Sequence, residues 1–298
     1  MDYRDIIKSR DLRMHILKFF GWVPDTVMVR IQYWMKTGRR LNLKSPKRYT
    51  EKLQLYKIKY RNPLMLRCTD KYEVRRYVQE RGMGEYLVPL VGVYKSVDDI
   101  CFGSLPDMFV AKTTDGAGGN QVLVCRDKSS LGVDIFKKQL TSWLQEKRPG
   151  RQAGREWAYE NGFPRRIIIE QLVGNGQSDL IDYKFFCFNG TVSYIYGISD
   201  RKLGVSAKLG IYDSDFNKLD VSRCDEEPQL VPLDKPEGFE TMKRVAERLS
   251  YGFPHVRVDL YNVNGKIYFG ELTFYDGSGY MTFSPDSFDE EMGSRFDL

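Results

Sequence analysis

Apolar positions recur at helical spacing in the first third of the chain and at alternate positions over most of the rest. Between residues 11 and 34, Leu12, Ile16, Leu17, Phe20, Val27, Val29 and Ile31 form an imperfect stripe. Gly21 and Pro24 interrupt it, which predicts two short helices rather than one. Residues 49–60 read as a basic helix that follows Pro46 and stops before Asn62-Pro63. A third helix is predicted over 70–81, with Asp70 as N-cap or first-turn acid. From Met108 the period shortens to two. Residues 108–113 and 121–125 flank a glycine-rich turn and predict a hairpin with a long loop. An amphipathic helix over 130–145 is followed by strands at 166–173, 183–188 and 192–199. Asn189-Gly190 joins the last two, and Asn264-Gly265 joins strands at 256–261 and 266–274 after a helix over 239–251. Two-residue Asn-Gly loops are hairpin turns, so the pattern predicts an α+β fold with a predominantly antiparallel sheet.

Composition narrows the class. Of 298 residues, 42% are hydrophobic and 29% charged with mixed signs, which excludes wholesale disorder. No apolar run approaches the roughly 18 residues of a membrane-spanning helix, and the first thirteen residues hold no signal-peptide apolar stretch. Cys68, Cys101, Cys125, Cys187 and Cys224 are scattered with no C-x-x-C, which argues against a disulfide scaffold or zinc cage and for a cytoplasmic protein. The charge is uneven. Residues 1–61 hold sixteen Lys/Arg against five Asp/Glu, a surplus of eleven on a chain whose net charge is +6. Such a segment suits an anionic partner (nucleic acid, anionic lipid or a phosphate-bearing substrate), or else is a solvated helical face. The interleaved aromatics that stack bases are not evident, so nucleic acid is set aside.

Three groups of residues carry candidate chemistry. The first runs from Phe109 through Lys112 to Gly116, Gly118 and Gly119. A lysine ending a strand before a glycine loop can aim an ammonium and backbone N–H groups at a triphosphate, although alone it reads more simply as a surface hairpin. It is not a P-loop, because the G-x-x-x-x-G-K-[ST] order is absent and a strand follows. The second is Glu170-Gln171-Leu172-Val173-Gly174, a strand end that could present backbone groups to an adenine edge or be a plain strand end beside a turn. The third pairs Arg257 and Asp259 on one strand with Glu271 and Thr273 on the next; alternation puts each pair on one face. Two carboxylates beside an arginine can hold Mg²⁺ on phosphate oxygens, or simply salt-bridge the arginine.

Taken in this order, the three groups resemble the ATP-grasp superfamily, in which D-alanine–D-alanine ligase is a familiar carboxylate–amine member. The resemblance implies an ATP-grasp fold with the nucleotide between two α+β subdomains. It implies that Lys112, Gly116, Gly118, Gly119 and the additional lysine Lys71 hold ATP phosphates. Glu170, Gln171 and Val173 would form the adenine hinge, Asp182 would meet the ribose, and Lys184 belongs with the nucleotide-binding set. Arg257 would face the transferring phosphoryl, and Asp259, Glu271 and position 273 would hold Mg²⁺. The segments beginning Lys44-Ser-Pro-Lys, Tyr60-Arg-Asn-Pro-Leu, Asp70-Lys-Tyr, Asp182-Tyr-Lys-Phe-Phe and Glu271-Leu-Thr-Phe-Tyr-Asp-Gly-Ser-Gly narrow it further, to the TupA-like ATP-grasp family. TupA is associated with teichuronopeptide synthesis, and its relatives with surface polysaccharides. Thr273 departs from the metal-binding Asn of many ATP-grasp enzymes, and Lys202 to Lys208 looks idiosyncratic.

The resemblance implies three regions: a basic, mainly helical segment over 1–105, a small subdomain over 106–172 and a large one over 173–298. It also implies an ATP-dependent ligase that joins a glycan or small-molecule carboxylate to an amine through an acylphosphate, with Arg201 a candidate for binding the carboxylate. The rival reading from another class is a glycosyltransferase, with Asp213-Ser214-Asp215 as its metal–sugar-nucleotide motif. A protein-kinase-like transferase lacks its H-R-D and D-F-G elements. The basic N-terminus is expected to meet a lipid-linked glycan or the anionic inner membrane face. Phe19, Phe20 and Trp22 are expected to pack against the catalytic body rather than insert into lipid.

Overall fold

The computed structural model describes residues 20–116, 121–147, 153–160, 162–176, 180–202 and 206–298. Helices come first: α1 (Asp25–Thr37), α2 (Tyr49–Lys59), α3 (Leu64–Thr69) and α4 (Glu73–Glu80). Strands β1 (Leu90–Tyr94), β2 (Phe109–Thr113) and β3 (Val122–Cys125) lead to α5 (Val133–Gln145) and β4 (Ile167–Gln171). Then follow β5 (Asp182–Phe188), β6 (Thr191–Lys202), β7 (Ser206–Asp213), β8 (Ser222–Arg223), β9 (Glu227–Pro228) and α6 (Phe239–Ser250). The last elements are β10 (His255–Val263), β11 (Lys266–Thr273), β12 (Phe283–Ser284) and α7 (Ser287–Ser294).

The strands form a four-stranded sheet, β1-β4-β2-β3, a six-stranded sheet, β11-β10-β5-β6-β7-β9, and a small β12-β8 pair. Every pairing is antiparallel except β7 with β9, as hairpin connections require. The two Asn-Gly turns close the β5–β6 and β10–β11 hairpins with positive φ at both residues, 50° and 81° at Asn189-Gly190 and 51° and 81° at Asn264-Gly265. That is the twist a two-residue hairpin needs. The small sheet encloses its own core with α5, where Phe109, Phe136, Leu140 and Ile169 are buried. The larger core lies around the six-stranded sheet, and α2, α3 and α4 belong to it through Tyr49, Leu53, Met65 and Tyr77.

The observed elements match the predicted ones from 49 onward to within a few residues, with additions. The third helix begins at Glu73 because Asp70 caps it, accepting from Tyr72 N at 2.9 Å and Glu73 N at 3.0 Å. α1 starts directly after Pro24 and ends at Gly38, whose φ of 72° only glycine adopts cheaply. α3, β1, β7 and α7 were not legible in the apolar pattern. β1 lies within the segment expected to be mainly helical, yet it pairs with β4 and joins the small sheet. Trp22 corrects another expectation: it is 75% exposed rather than packed, and Phe20 is exposed beside it, while Phe19 lies outside the described residues.

Candidate active site

The site is built on the β5–β10–β11 part of the large sheet. Register places Arg257 opposite Thr273, Asp259 opposite Glu271 on one side and Asp259 opposite Lys184 on the other. A bulge follows Asp259, where Gly270 lets the strands approach: a Cβ there would lie 3.1 Å from the Asp259 carbonyl oxygen. All four predicted side chains therefore share one face. Arg257 donates from Nε to Asp259 Oδ1 at 2.7 Å and from Nη2 to Asp259 Oδ2 at 2.8 Å. The same Nη2 donates to Thr273 Oγ1 at 3.0 Å and reaches Glu271 Oε1 at 3.4 Å, while Nη1 donates to Asp276. Thr273 Oγ1 in turn donates to Glu271 at 3.0 Å.

Charge state follows from these contacts. Burial alone would raise the Asp259 carboxyl, but Arg257 and Lys184 outweigh it and hold it below the usual carboxylate range. Burial would lower the Lys184 ammonium; Asp182, 2.7 Å away, and Asp259 raise it instead. Glu271 differs from its neighbours, since 48% of its side chain stays exposed.

Arg257, Glu271, Thr273 and Lys184 line a cavity of about 430 Å³ that Lys71, Asp115 and Gly116 reach from the side of the small sheet. Lys71 is tethered there, its backbone N–H donating to the Thr114 carbonyl at 2.8 Å and its ammonium to the Gly116 carbonyl. Burial pushes that ammonium below its ordinary value, with Glu271 opposing. Lys112 and Glu170 do not line the cavity. They meet each other across the small sheet at 2.7 Å, and Arg75 of α4 holds the other Glu170 oxygen at 2.8 Å. Gln171 ends β4 and Val173 opens the turn after it. Gly118 and Gly119 lie outside the described residues, as does the side chain of Arg201 at the end of β6.

The sequence model of the family described as TupA-like ATPgrasp matches residues 51–297. The chain belongs to the TupA-like ATP-grasp family. A search of curated proteins found no match. Among solved structures, the ATP-grasp ligase PsnB complexed with minimal precursor is similar at 12% identity and a TM-score of 0.41, over 72% of this chain and 55% of that one. D-alanine–D-alanine ligase from Bacillus anthracis complexed with ATP gives 15% and 0.41 over 70% and 55%, and D-cycloserine synthetase DcsG gives 16% and 0.41 over 79% and 72%. The chain thus spans little more than half the length of the first two.

Within this TupA-like protein, sequence reasoning missed two side chains that line the cavity, Asp276 and Arg223, and two that brace predicted site segments, Lys57 and Arg75. Asp276 bridges two guanidiniums, bonding Arg257 and lying 3.5 Å from Arg223. It stood in the quoted Glu271–Gly279 motif without a role. Arg223 comes from the two-residue β8, is gripped by Asp225 at 2.8 and 3.0 Å, and lines the cavity with Tyr196. Such a short strand has no periodic signal. Lys57 was read only as a basic helix position. It is fully buried and donates to Gly154 O, Gln54 Oε1, Ser278 O and Ser278 Oγ at 2.6–3.1 Å, holding the turn that carries Asp276. Arg75, in the first turn of α4 and four residues after Lys71, is the partner of Glu170.

The donor set fits a hard cation: Asp259, Glu271 and Thr273 offer only oxygen atoms on one face. Among the described residues no cluster of three or more His, Cys, Asp or Glu side chains is placed to hold a metal ion alone. An ion here would therefore share its coordination with a substrate's oxygens.

Proposed function

We propose that the protein is an ATP-dependent carboxylate–amine ligase that forms an amide through an acylphosphate. The observation that carries this reading is the Arg257–Asp259–Glu271–Thr273 face opening on a cavity that Lys71 enters from the segment before α4, tethered to the loop after β2. Asp259, Asp276 and Thr273 fix the Arg257 guanidinium on three sides, so it would meet charge on a transferring phosphoryl without first reorganising. A substrate carboxylate would attack the γ-phosphorus with release of ADP, and an amine would then displace phosphate from the acylphosphate carbon. Lys71 and Lys112 would hold phosphates, with Glu170, Gln171 and Val173 at the adenine and Asp182 at the ribose. Glu271 and Asp259 would hold Mg²⁺, which neutralises phosphate oxygens when bound. Arg223, which lines the cavity, would bind the carboxylate, the role expected of Arg201.

The resemblance set out in the sequence makes a uronic-acid-containing surface polysaccharide or its precursor the expected carboxylate and an amino acid or small amine its partner, and the scattered cysteines make the cytoplasm the expected place of work. Among the described residues no helix is long and apolar enough to cross a membrane. Among the described residues no geometry favours a glycosyltransferase. Asp213 accepts from Asp215 N, Asn217 N and Asn217 Nδ2 at 2.8–2.9 Å, which is a turn closed on itself, and it does not line the cavity. The test is ADP release by purified protein given Mg-ATP, uronic acids and a panel of amines. Sustained ADP turnover should require all three, with at most one ADP per enzyme when the amine is left out, and Glu271→Gln should slow it roughly 100-fold or more. UDP release from a UDP-sugar without ATP would overturn the ligase reading.

A further inference from the structure

α1 carries apolar side chains on two opposite sides, and among the described residues only one of these is covered. Met28, Val29, Gln32 and Tyr33 face inward and are buried. Gln32 donates to the Ala153 carbonyl at 2.8 Å and accepts from Tyr280 Oη at 2.6 Å, while Tyr33 Oη meets Thr50 Oγ1 at 2.9 Å. On the opposite side Val27, Ile31, Trp34 and Met35 lie at i, i+4, i+7 and i+8, and all are exposed, Trp34 by 60%. Phe20 and Trp22 precede them, also exposed. Large apolar side chains this concentrated on one helix face mark an interaction surface rather than ordinary scatter.

The surroundings are basic. Arg30 is three residues from Val27 and four from Trp34, so it borders the stripe on the helix surface. Arg40, Lys44 and Lys47 follow, and these four are exposed with no ion pair among the described residues. Between residues 20 and 48, Asp25 is the single acid against seven bases. We propose that this face docks on an anionic lipid surface. Tryptophans seated at the water–hydrocarbon boundary and bases among the headgroups are the two attractions such a surface supplies. A second copy of the chain would bring like charge against like charge. Folding the preceding residues 1–19 over the stripe would add five bases and only three acids. This inference does not depend on the ligase reading.

Full-length protein is sedimented with vesicles of phosphatidylcholine alone and with equimolar phosphatidylglycerol, while tryptophan emission is recorded. Sedimentation should require phosphatidylglycerol, weaken steeply from low to physiological salt, and shift the emission to the blue. The Ile31→Ser/Trp34→Ser variant should lose binding at least tenfold with unchanged ADP release. Arg30→Glu, which alters no apolar residue, should weaken it in the same direction. Equal partition onto both vesicle types, none onto either, or variants that bind as wild type would overturn the proposal. So would a concentration-dependent dimer in sedimentation velocity that the double variant abolishes.

Discussion

Thr273 accepts from Arg257 and donates to Glu271, so one hydroxyl orients both the phosphoryl-facing cation and the exposed carboxylate. Thr273→Val keeps the shape and removes both bonds, and it should lower ADP release about tenfold or more. Thr273→Asn supplies an acceptor and a donor from one amide and should retain most activity. Steady-state rates of the two variants, with melting curves as control, check this. His255 makes a different contribution. It is buried, bonded to Tyr49 Oη and the Cys187 carbonyl, each at 2.9 Å, and stacked on Phe188. Burial pushes its pKa down from 6.5 to about 4, so the unfolded chain binds this proton first as pH falls. Stability should therefore drop between pH 6.5 and 4 by about 3 kcal/mol from this group, read as the urea midpoint against pH. NMR titration should find the ring neutral at pH 5.5. A ring that protonates near 6.5 in the folded protein contradicts the assignment.

Among the elements, α2 matters most to the site, because it braces two segments from the far end of the chain. Its first turn receives α7: Asp289 accepts from Thr50 N at 3.0 Å and from Thr50 Oγ1 at 2.7 Å. Gly293 allows the approach, since a Cβ there would lie 2.0 Å from the Lys47 carbonyl oxygen and 2.7 Å from Tyr49 N. Further along, Gln54 and Lys57 hold the turn at 276–279, where Gly277, Ser278 and Gly279 all adopt positive φ. Gly293→Ala must push α7 off α2 and should cost about 1–3 kcal/mol, measured by urea unfolding. An unchanged midpoint would show that the α2–α7 contact yields freely.

For the whole molecule, the cavity draws residues from the large sheet and from the loop that follows β2 of the small one, so its occupant should tie the two together. Mg-ATP should then raise the melting temperature progressively, by about 2.7 kcal/mol of stability at a hundredfold excess over Kd. ATP with a chelator should do much less, because the half-exposed Glu271 would face phosphate oxygens unshielded. A nucleotide-independent melting temperature in folded protein would argue against this cavity as the nucleotide site.

Much of this protein was legible in its sequence, and the legible part has a common cause. The two Asn-Gly hairpins, the helix capped by Asp70 and the strand faces bearing Arg257, Asp259, Glu271 and Thr273 depend on turn chemistry and on periods of 2 and 3.6. Those are local properties. The motifs that resemble the TupA-like family were local too, and the family match over 51–297 agrees with them. Tertiary structure alone decided which distant groups meet. Arg75 finds Glu170 ninety-five residues away, Asp276 joins Arg223 to Arg257, and the Lys57 ammonium gathers Gly154 O and Ser278 from well-separated parts of the chain. It also decided that, among the described residues, nothing covers Trp22 or the outer face of α1. Periodicity marks which positions are apolar, whereas burial depends on what packs opposite them, and no repeat along the chain encodes that.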